Sequence, residues 1–234
     1  MQRNLSHYSH CFEILNQSPL FSALEETALS DMLDIFQYHT RLKGETAISP
    51  QKASDHFYLI ISGRAKVSVY NPDSGREHIL FLIGPGDGFD VISLLDGEWH
   101  EAVVTALDDM EVLSTNVKQA RRWIEQHPQF NRAFLPYLGK QMHELASQAT
   151  DLSLHDTEAR LSRLVLRNLV ADQSVNEVQL INDLSQETLA SMIGSVRVVI
   201  TRHLQKWKEQ KIISGKRGNW SILDLQALLE KAEK

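Results

Sequence analysis

Between Ser195 and Gly218 the chain carries seven basic side chains, Arg197, Arg202, Lys206, Lys208, Lys211, Lys216 and Arg217, against Glu209 alone. Basic groups at that density on an otherwise acidic chain are the electrostatic footprint of phosphate binding. Arginine adds a second capacity. Its planar fork matches guanine O6 and N7 together, at about 1–3 kcal/mol of discrimination. Solvated helix faces produce similar runs, so the surrounding elements decide between the two readings. His7, His10 and Cys11 form a further group, an i, i+3, i+4 set that a helix places on one face. Their ligand types suit a metal or a haem. Catalytic constellations are missing: there is no His-x-His, as a metal-dependent jelly-roll enzyme needs, no Gly-x-Ser-x-Gly and no phosphate-binding glycine loop. A non-enzyme is expected.

The residues around the basic run supply a frame for it. Ser185 suits the N-cap of a helix, and Gly194 permits the positive φ of a tight turn. A second helix is expected from about Val196 to Gln210, capped by Ser195. Beyond it, Ile212-Ile213-Ser214 and Trp220-Ser221-Ile222 flank Gly215-Lys216-Arg217-Gly218-Asn219, a hairpin with a basic tip. Helix, short glycine turn, basic helix and hairpin together spell a winged helix-turn-helix. Its candidate DNA-binding residues are Ser185, Gln186, Ser195, Val196, Arg197, Val198, Val199, Arg202, Lys206, Lys216 and Arg217. Arg197 and Arg202 are placed to enter a major groove, whereas Lys206, Lys208, Lys216 and Arg217 suit phosphates or stand as solvated side chains. Upstream, Asp156 is expected to cap a helix over 157–171 built on Leu161, Leu164, Val165 and Leu169.

The preceding part of the chain has different patterning. Residues 11–35 show helical spacing, and 37–115 then hold short β-rich runs at 56–62, 65–70 and 78–83 separated by Gly/Pro/Asn turns. Such strands suggest a sandwich or jelly-roll barrel. Residues 129–154 return to helix. There Leu135, Leu138, Met142, Leu145, Ala149 and Leu152 alternate steps of three and four, an a/d seam that fits a homodimer. Pro136 should kink that helix or mark its first turn. Charge divides the chain in the same way: residues 1–155 hold twelve basic and twenty acidic groups, residues 156–234 twelve and ten. With 234 residues, net charge −6 and 42% hydrophobic content, the chain suits two small domains. One cysteine excludes an internal disulfide and an iron–sulfur cluster held by several cysteines. No apolar run reaches membrane-spanning length and the N-terminus lacks a signal core, so a cytoplasmic, reducing home with no membrane contact is expected.

In one register across almost the whole chain, these pieces resemble the Crp/Fnr family of bacterial transcription regulators. The residues that carry the resemblance begin with Leu20-Phe21 with Leu24, Ser62-Gly63, and Gly84-Pro85-Gly86-Asp87 with Phe89. They continue through Leu94-Leu95-Asp96-Gly97, the long helix, and Ile193-Gly194-Ser195-Val196-Arg197 with Arg202. The resemblance implies an α+β fold. Its parts are an N-terminal helix and β-roll (a jelly-roll, cyclic-nucleotide-binding-like sensor) over 1–128, a dimerisation helix over 129–155, and a winged helix-turn-helix over 156–234. It also implies double-stranded DNA with a palindromic operator, RNA polymerase and a small-molecule effector as partners.

Departures from the family pattern qualify that picture. Where many relatives carry a glutamate between the two arginines, this chain has Val198, which packs on a thymine methyl but accepts no hydrogen bond. That feature, with Phe89-Asp90-Val91-Ile92-Ser93-Leu94-Leu95, is similar to the cyanobacterial nitrogen-regulator branch. The resemblance implies an effector pocket at Phe89, Asp90, Val91, Ile92, Trp99, His100, Leu145 and Ala146, in which Asp90-Val91, His100-Glu101 and Leu145-Ala146 align with the family's cyclic-AMP contacts. A phosphate there would meet Asp90 and Glu101 in place of an arginine clamp, so cyclic AMP is disfavoured. The 2-oxoglutarate of the nitrogen-regulator branch also fits poorly, because the arginine it needs aligns with Pro136. The effector is unknown, and haem through the histidines stays open. So does a ligand-binding module that acts on a protein partner without DNA.

Overall fold

A computed structural model describes residues 5–21, 24–48, 55–89, 91–98, 101–171, 176–178, 181, 183–216 and 219–233. Its contacts divide the chain into two units: Met1–Val69 with Phe81–His143, and Tyr70–Leu80 with Glu144–Lys234.

The first unit is built around a strand that is apolar on both faces. β3 (His56–Ser62) reads HFYLIIS and is buried along its interior without alternation, the pattern of a strand covered on two sides. It lies in a sheet of order β1-β8-β3-β6, where β1 is Gln37–Arg41, β6 Gly88–Phe89 and β8 Met110–Asn116. One face meets a second sheet, β2-β7-β4-β5, formed by Thr46–Ile48, Val103–Ala106, Ala65–Tyr70 and Glu77–Ile83. Tyr58, Ile60, Phe89, Met110 and Val112 from the first sheet pack there with Ala65, Val67, Ile83 and Val104 from the second. That is the expected β-roll, with an interior of apolar side chains.

The other face of β3 carries Phe57, Leu59 and Ile61 into a helical layer. The layer comprises α1 (Leu5–Gln17), α2 (Glu26–Asp34), α4 (Val117–Gln126) and the start of α5 (Asn131–Leu154); the short α3 (Val91–Asp96) lies on the same side. The single helix read over 11–35 is thus two. Ser18 ends the first, because Pro19 disfavours the α region at the residue before it. The Ser18 hydroxyl then donates to the Gly86 carbonyl at 2.8 Å. Pro136 lies inside α5, past its first turn.

On α1 the side chains of His7, His10 and Cys11 meet different neighbours. Cys11 is buried in the helical core, where burial pushes its thiol up to about 11. His10 pairs with Glu111 at 3.2 Å, and the His7 ring lies 4.6 Å from that of Tyr38. A helix lying flat on a sheet turns its i+4 position inward while the i+3 position stays at the margin. Among the described residues no group of three His, Cys, Asp or Glu side chains is arranged to hold a metal ion.

In the second unit, Asp156 caps α6 (Thr157–Arg167) by accepting from the Ala159 amide at 2.8 Å. The helix expected to 171 stops at 167. Asn168 leaves helical geometry, and Leu169–Ala171 becomes β9, paired antiparallel with β10 (Asn176–Val178). These strands extend the hairpin of β11 (Ile213–Lys216) and β12 (Asn219–Ile222) into a sheet of order β11-β12-β10-β9. Three helices then converge on one carboxylate. Glu158 of α6 accepts from Trp207 Nε1 (2.9 Å) and Lys206 Nζ (3.1 Å) of α8 (Arg197–Glu209), and pairs with Lys231 Nζ (3.0 Å) of α9 (Leu225–Ala232). Burial alone would raise its pKa, but these three donors outweigh it and bring the value down to about 2.

The Glu158 clamp should therefore be charge-dependent. Glu158→Gln is expected to cost about 1.5–3 kcal/mol, the usual range for hydrogen bonds to a charged group. Because the folded-state pKa is depressed, the stabilisation is complete above the ordinary value of 4.5 and fades as pH falls toward about 2. Calorimetric unfolding temperatures of wild type and variant should differ at pH 6 and converge only as the pH approaches about 2.

Candidate nucleic-acid interface

The second unit positions the basic run through helix geometry and burial. α7 (Gln186–Met192) begins at Ser185, whose hydroxyl accepts from the Thr188 amide at 3.0 Å, as the sequence implied. Gly194 takes φ +63, and the Ser195 amide returns to the Ala190 carbonyl at 2.8 Å. α8 follows. Its N-cap is Val196 and makes no side-chain cap, so the expected capping by Ser195 does not occur. The return of the Ser195 amide to α7 places Ser195 in the turn, one residue before the helix begins. The Ser195 carbonyl accepts from Arg76 of the 70–80 hairpin at 3.2 Å.

α8 is held by a stripe at i, i+3, i+4 and i+7: Ile200, His203, Leu204 and Trp207, all buried. The His203 ring lies 3.1 Å from the Thr157 hydroxyl, and burial lowers its pKa, which favours the neutral ring. Rotation of about 100° per residue then turns Arg197, Val198, Thr201, Arg202, Gln205 and Lys208 to the exposed side. Val198 is 77% exposed, so its methyl groups face outward on the same side as Arg197 and Arg202. Helix N-termini leave their first amides without intrahelical partners and favour anions there.

The expected residues separate into groups on this frame. Arg197, Val198 and Arg202 share the exposed face, with Val196 at its start. Gln186 reaches the same face, since its side-chain oxygen lies 2.5 Å from the Thr201 hydroxyl. Val199 is half-buried, and Lys206 is turned toward α6, where Glu158 holds its amine. Lys216 lies in β11, and Arg217 falls outside the described residues. Thr201 and Gln205 occupy the middle of the exposed face and were not singled out from the sequence. Their spacing of three and four from Arg197, Val198 and Arg202 was the available signal. A cleft of about 420 Å³ runs beside this face, with Arg197 and Lys208 on one wall and Ser185 and Gln186 on the other.

The residues read as an effector pocket are more scattered. Phe89 is buried in the roll interior, Val91 packs against the helical core, and Ile92 is exposed. Leu145 and Ala146 lie on exposed surface of α5, while Asp90, Trp99 and His100 fall outside the described residues. Along α5, Leu135, Met142, Leu145, Ala149 and Leu152 are exposed, and Leu138 is half-buried on the helical core.

Residues 159–231 match the family model of the Crp-like helix-turn-helix domain, and residues 40–127 that of the cyclic nucleotide-binding domain. The chain belongs to the Crp/Fnr family of transcription regulators. It is 25% identical over 222 residues to the CRP-like cAMP-activated global transcriptional regulator of Mycobacterium tuberculosis, covering 94% of this chain and 99% of that protein. The global nitrogen regulator of Synechococcus elongatus is 26% identical over 209 residues, covering 86% of this regulator and 91% of its relative. A solved structure of a CooA variant from Carboxydothermus hydrogenoformans superposes with a TM-score of 0.71 at 21% identity, covering 86% and 90% of the two chains. Among the described residues of this regulator no helix is long and apolar enough to cross a membrane.

The tight turn before α8 crowds any side chain placed at Gly194, and Leu152 would have to move to admit one. A Cβ on Gly194 would stand 2.8 Å from Leu152 Cδ2, and its left-handed backbone adds about 1–2 kcal/mol of strain for any other residue. Gly194→Ala should lower the unfolding temperature and weaken duplex binding together; unchanged values in calorimetry and gel-shift titration would contradict the assigned packing.

Proposed function

We propose that this regulator is a homodimer that reads a palindromic operator with α8, under the control of a small effector held by the β-roll. The observation that carries the reading is the division of α8 into a buried apolar stripe and an exposed face bearing Arg197, Val198 and Arg202. In this reading Arg197 and Arg202 take bases and neighbouring phosphates, Val198 meets a thymine methyl, and Lys208, Lys216 and Arg217 neutralise phosphates, while Lys206 stays with Glu158. The exposed apolar side chains of α5 support a second copy as the partner of that helix. Leu135 is 62% exposed and Met142 71%, values that leave large apolar side chains in water in a lone chain. Two copies joined there would present their recognition helices to half-sites about 34 Å apart.

The sensing step is a population shift. The effector must favour one arrangement of the dimer over another by its own differential affinity. The apolar roll interior and the acidic residues at the aligned phosphate position speak against cyclic AMP in that role. Contact with RNA polymerase, and a place of action in the cytoplasm where the DNA is, follow from the family. The relatives reported above are regulators of transcription, and the same non-enzymatic role is assigned here.

Selection of sites from random duplex DNA tests the reading directly, with a recovered palindrome as the expected result. In the recovered site, Val198→Glu should replace a thymine preference at one position by cytosine and leave the rest unchanged. Arg197→Ala should relax sequence preference, whereas Lys216→Ala should weaken all sequences alike and reduce the salt slope by about one. Leu145→Glu should abolish dimers in sedimentation and tight operator binding together; a dimeric, fully active variant contradicts the seam.

A further inference from the structure

The last turns of α5 carry a carboxylate that the recognition chemistry does not use. Asp151 is 3% exposed, and a carboxylate so deep persists only when paired. Both of its oxygens are engaged by α6. Oδ1 accepts from Arg163 Nε at 2.5 Å and Oδ2 from Arg167 Nη2 at 2.6 Å. The two arginines stand four residues apart, on one face of α6. Each guanidinium is fixed at a second point. Arg167 Nη1 donates to the Ser147 hydroxyl at 2.9 Å, one turn before Asp151 on α5, and Arg163 Nη1 donates to the Ala232 carbonyl of α9 at 3.3 Å. The next residue, Leu152, belongs to the exposed seam stripe and also touches the turn of the helix-turn-helix, where it fills the space a Gly194 side chain would need.

Only His155 and Asp156 separate α5 from α6. Two residues can join helices at many angles, so the angle has to be set by contacts elsewhere. Replacing buried ion pairs with apolar groups is often neutral or stabilising, whereas their directional bonds can fix one arrangement over others. We propose that Asp151 is a positioning residue. It fixes the angle at which α6, and with it the recognition helix, leaves the seam helix, and it thereby sets the half-site spacing that the dimer accepts. This inference rests on the dimeric reading above. It assigns Asp151, Arg163 and Arg167 to spacing, while Arg197, Val198 and Arg202 read sequence.

The test uses full-length protein and duplexes carrying the selected palindrome, the same half-sites with one, two or three base pairs added to or removed from the spacer, and a lone half-site. Wild type should prefer the selected spacing strongly. Asp151→Asn should remain dimeric in sedimentation and keep its half-site sequence preference, while its discrimination between spacers falls about tenfold, which corresponds to roughly 1.4 kcal/mol. Arg167→Gln is the second variant, needed if Asp151→Asn fails to fold. It removes one of the two bonds at a more exposed site and should relax spacing about threefold. A folded variant that discriminates spacers as sharply as wild type, with only its unfolding temperature lowered, overturns the inference and leaves Asp151 a structural residue. Wild-type protein that shows no preference for paired half-sites overturns the dimeric reading and the inference with it.

Discussion

A helix that reads DNA must show polar and charged side chains to solvent and still be held rigidly, so its whole grip has to come from the opposite face. In this protein that grip is Ile200, His203, Leu204 and Trp207, with Glu158 beneath them. The Trp207 indole is fully buried but its nitrogen still needs an acceptor. Glu158 supplies one, and because it carries a charge it also draws in Lys206 and Lys231. Much of the second unit follows from satisfying that one indole. α6 provides the acceptor, α9 provides a cation to offset it, and Lys206 is turned away from the exposed face that the other basic residues occupy.

The first unit meets a different constraint. Its central strand β3 has no polar face, so it requires a cover on each side. The second sheet closes one side and α1, α2, α4 and the start of α5 close the other. The arrangement leaves the roll interior lined by aliphatic and aromatic groups. Polar chemistry is displaced to the edges, where Glu111 gathers Tyr38, Ser62 and His10 around one carboxyl and its hydrogen bonds hold that group below the usual carboxylate range.

Local signals were legible in the sequence wherever one residue type carries one job. Ser185 and Asp156 cap helices because a short polar side chain can accept from an amide two or three residues on. Gly194 marks the turn because it alone adopts the left-handed backbone cheaply, and the apolar spacing of α8 gave its buried side. The failures share a cause too. Ser195 looked like a cap, yet the turn places it one residue early. Leu169 fitted a helical period but was taken by pairing with β10. Glu158 and Asp151 had no local mark. The partners of Glu158 lie 48 to 73 residues away, and the arginines held by Asp151 lie on another helix. Thr201 and Gln205 share the exposed face of α8 without a sequence mark of their own, because neither residue type stands out when read singly.

Cys11 has a practical consequence. It is the chain's one cysteine, buried at the helical face of the first unit, with a thiol that burial holds at about 11. At neutral pH almost none of it is thiolate, and only the thiolate attacks thiol reagents. The native protein should be silent to such probes, and their reaction rate becomes a clock for the opening of that unit. A cysteine placed at an exposed position would then be the one reactive thiol in the chain. Distances between spin labels or dyes across the proposed dimer could be read without first stripping the chain of its own sulfur.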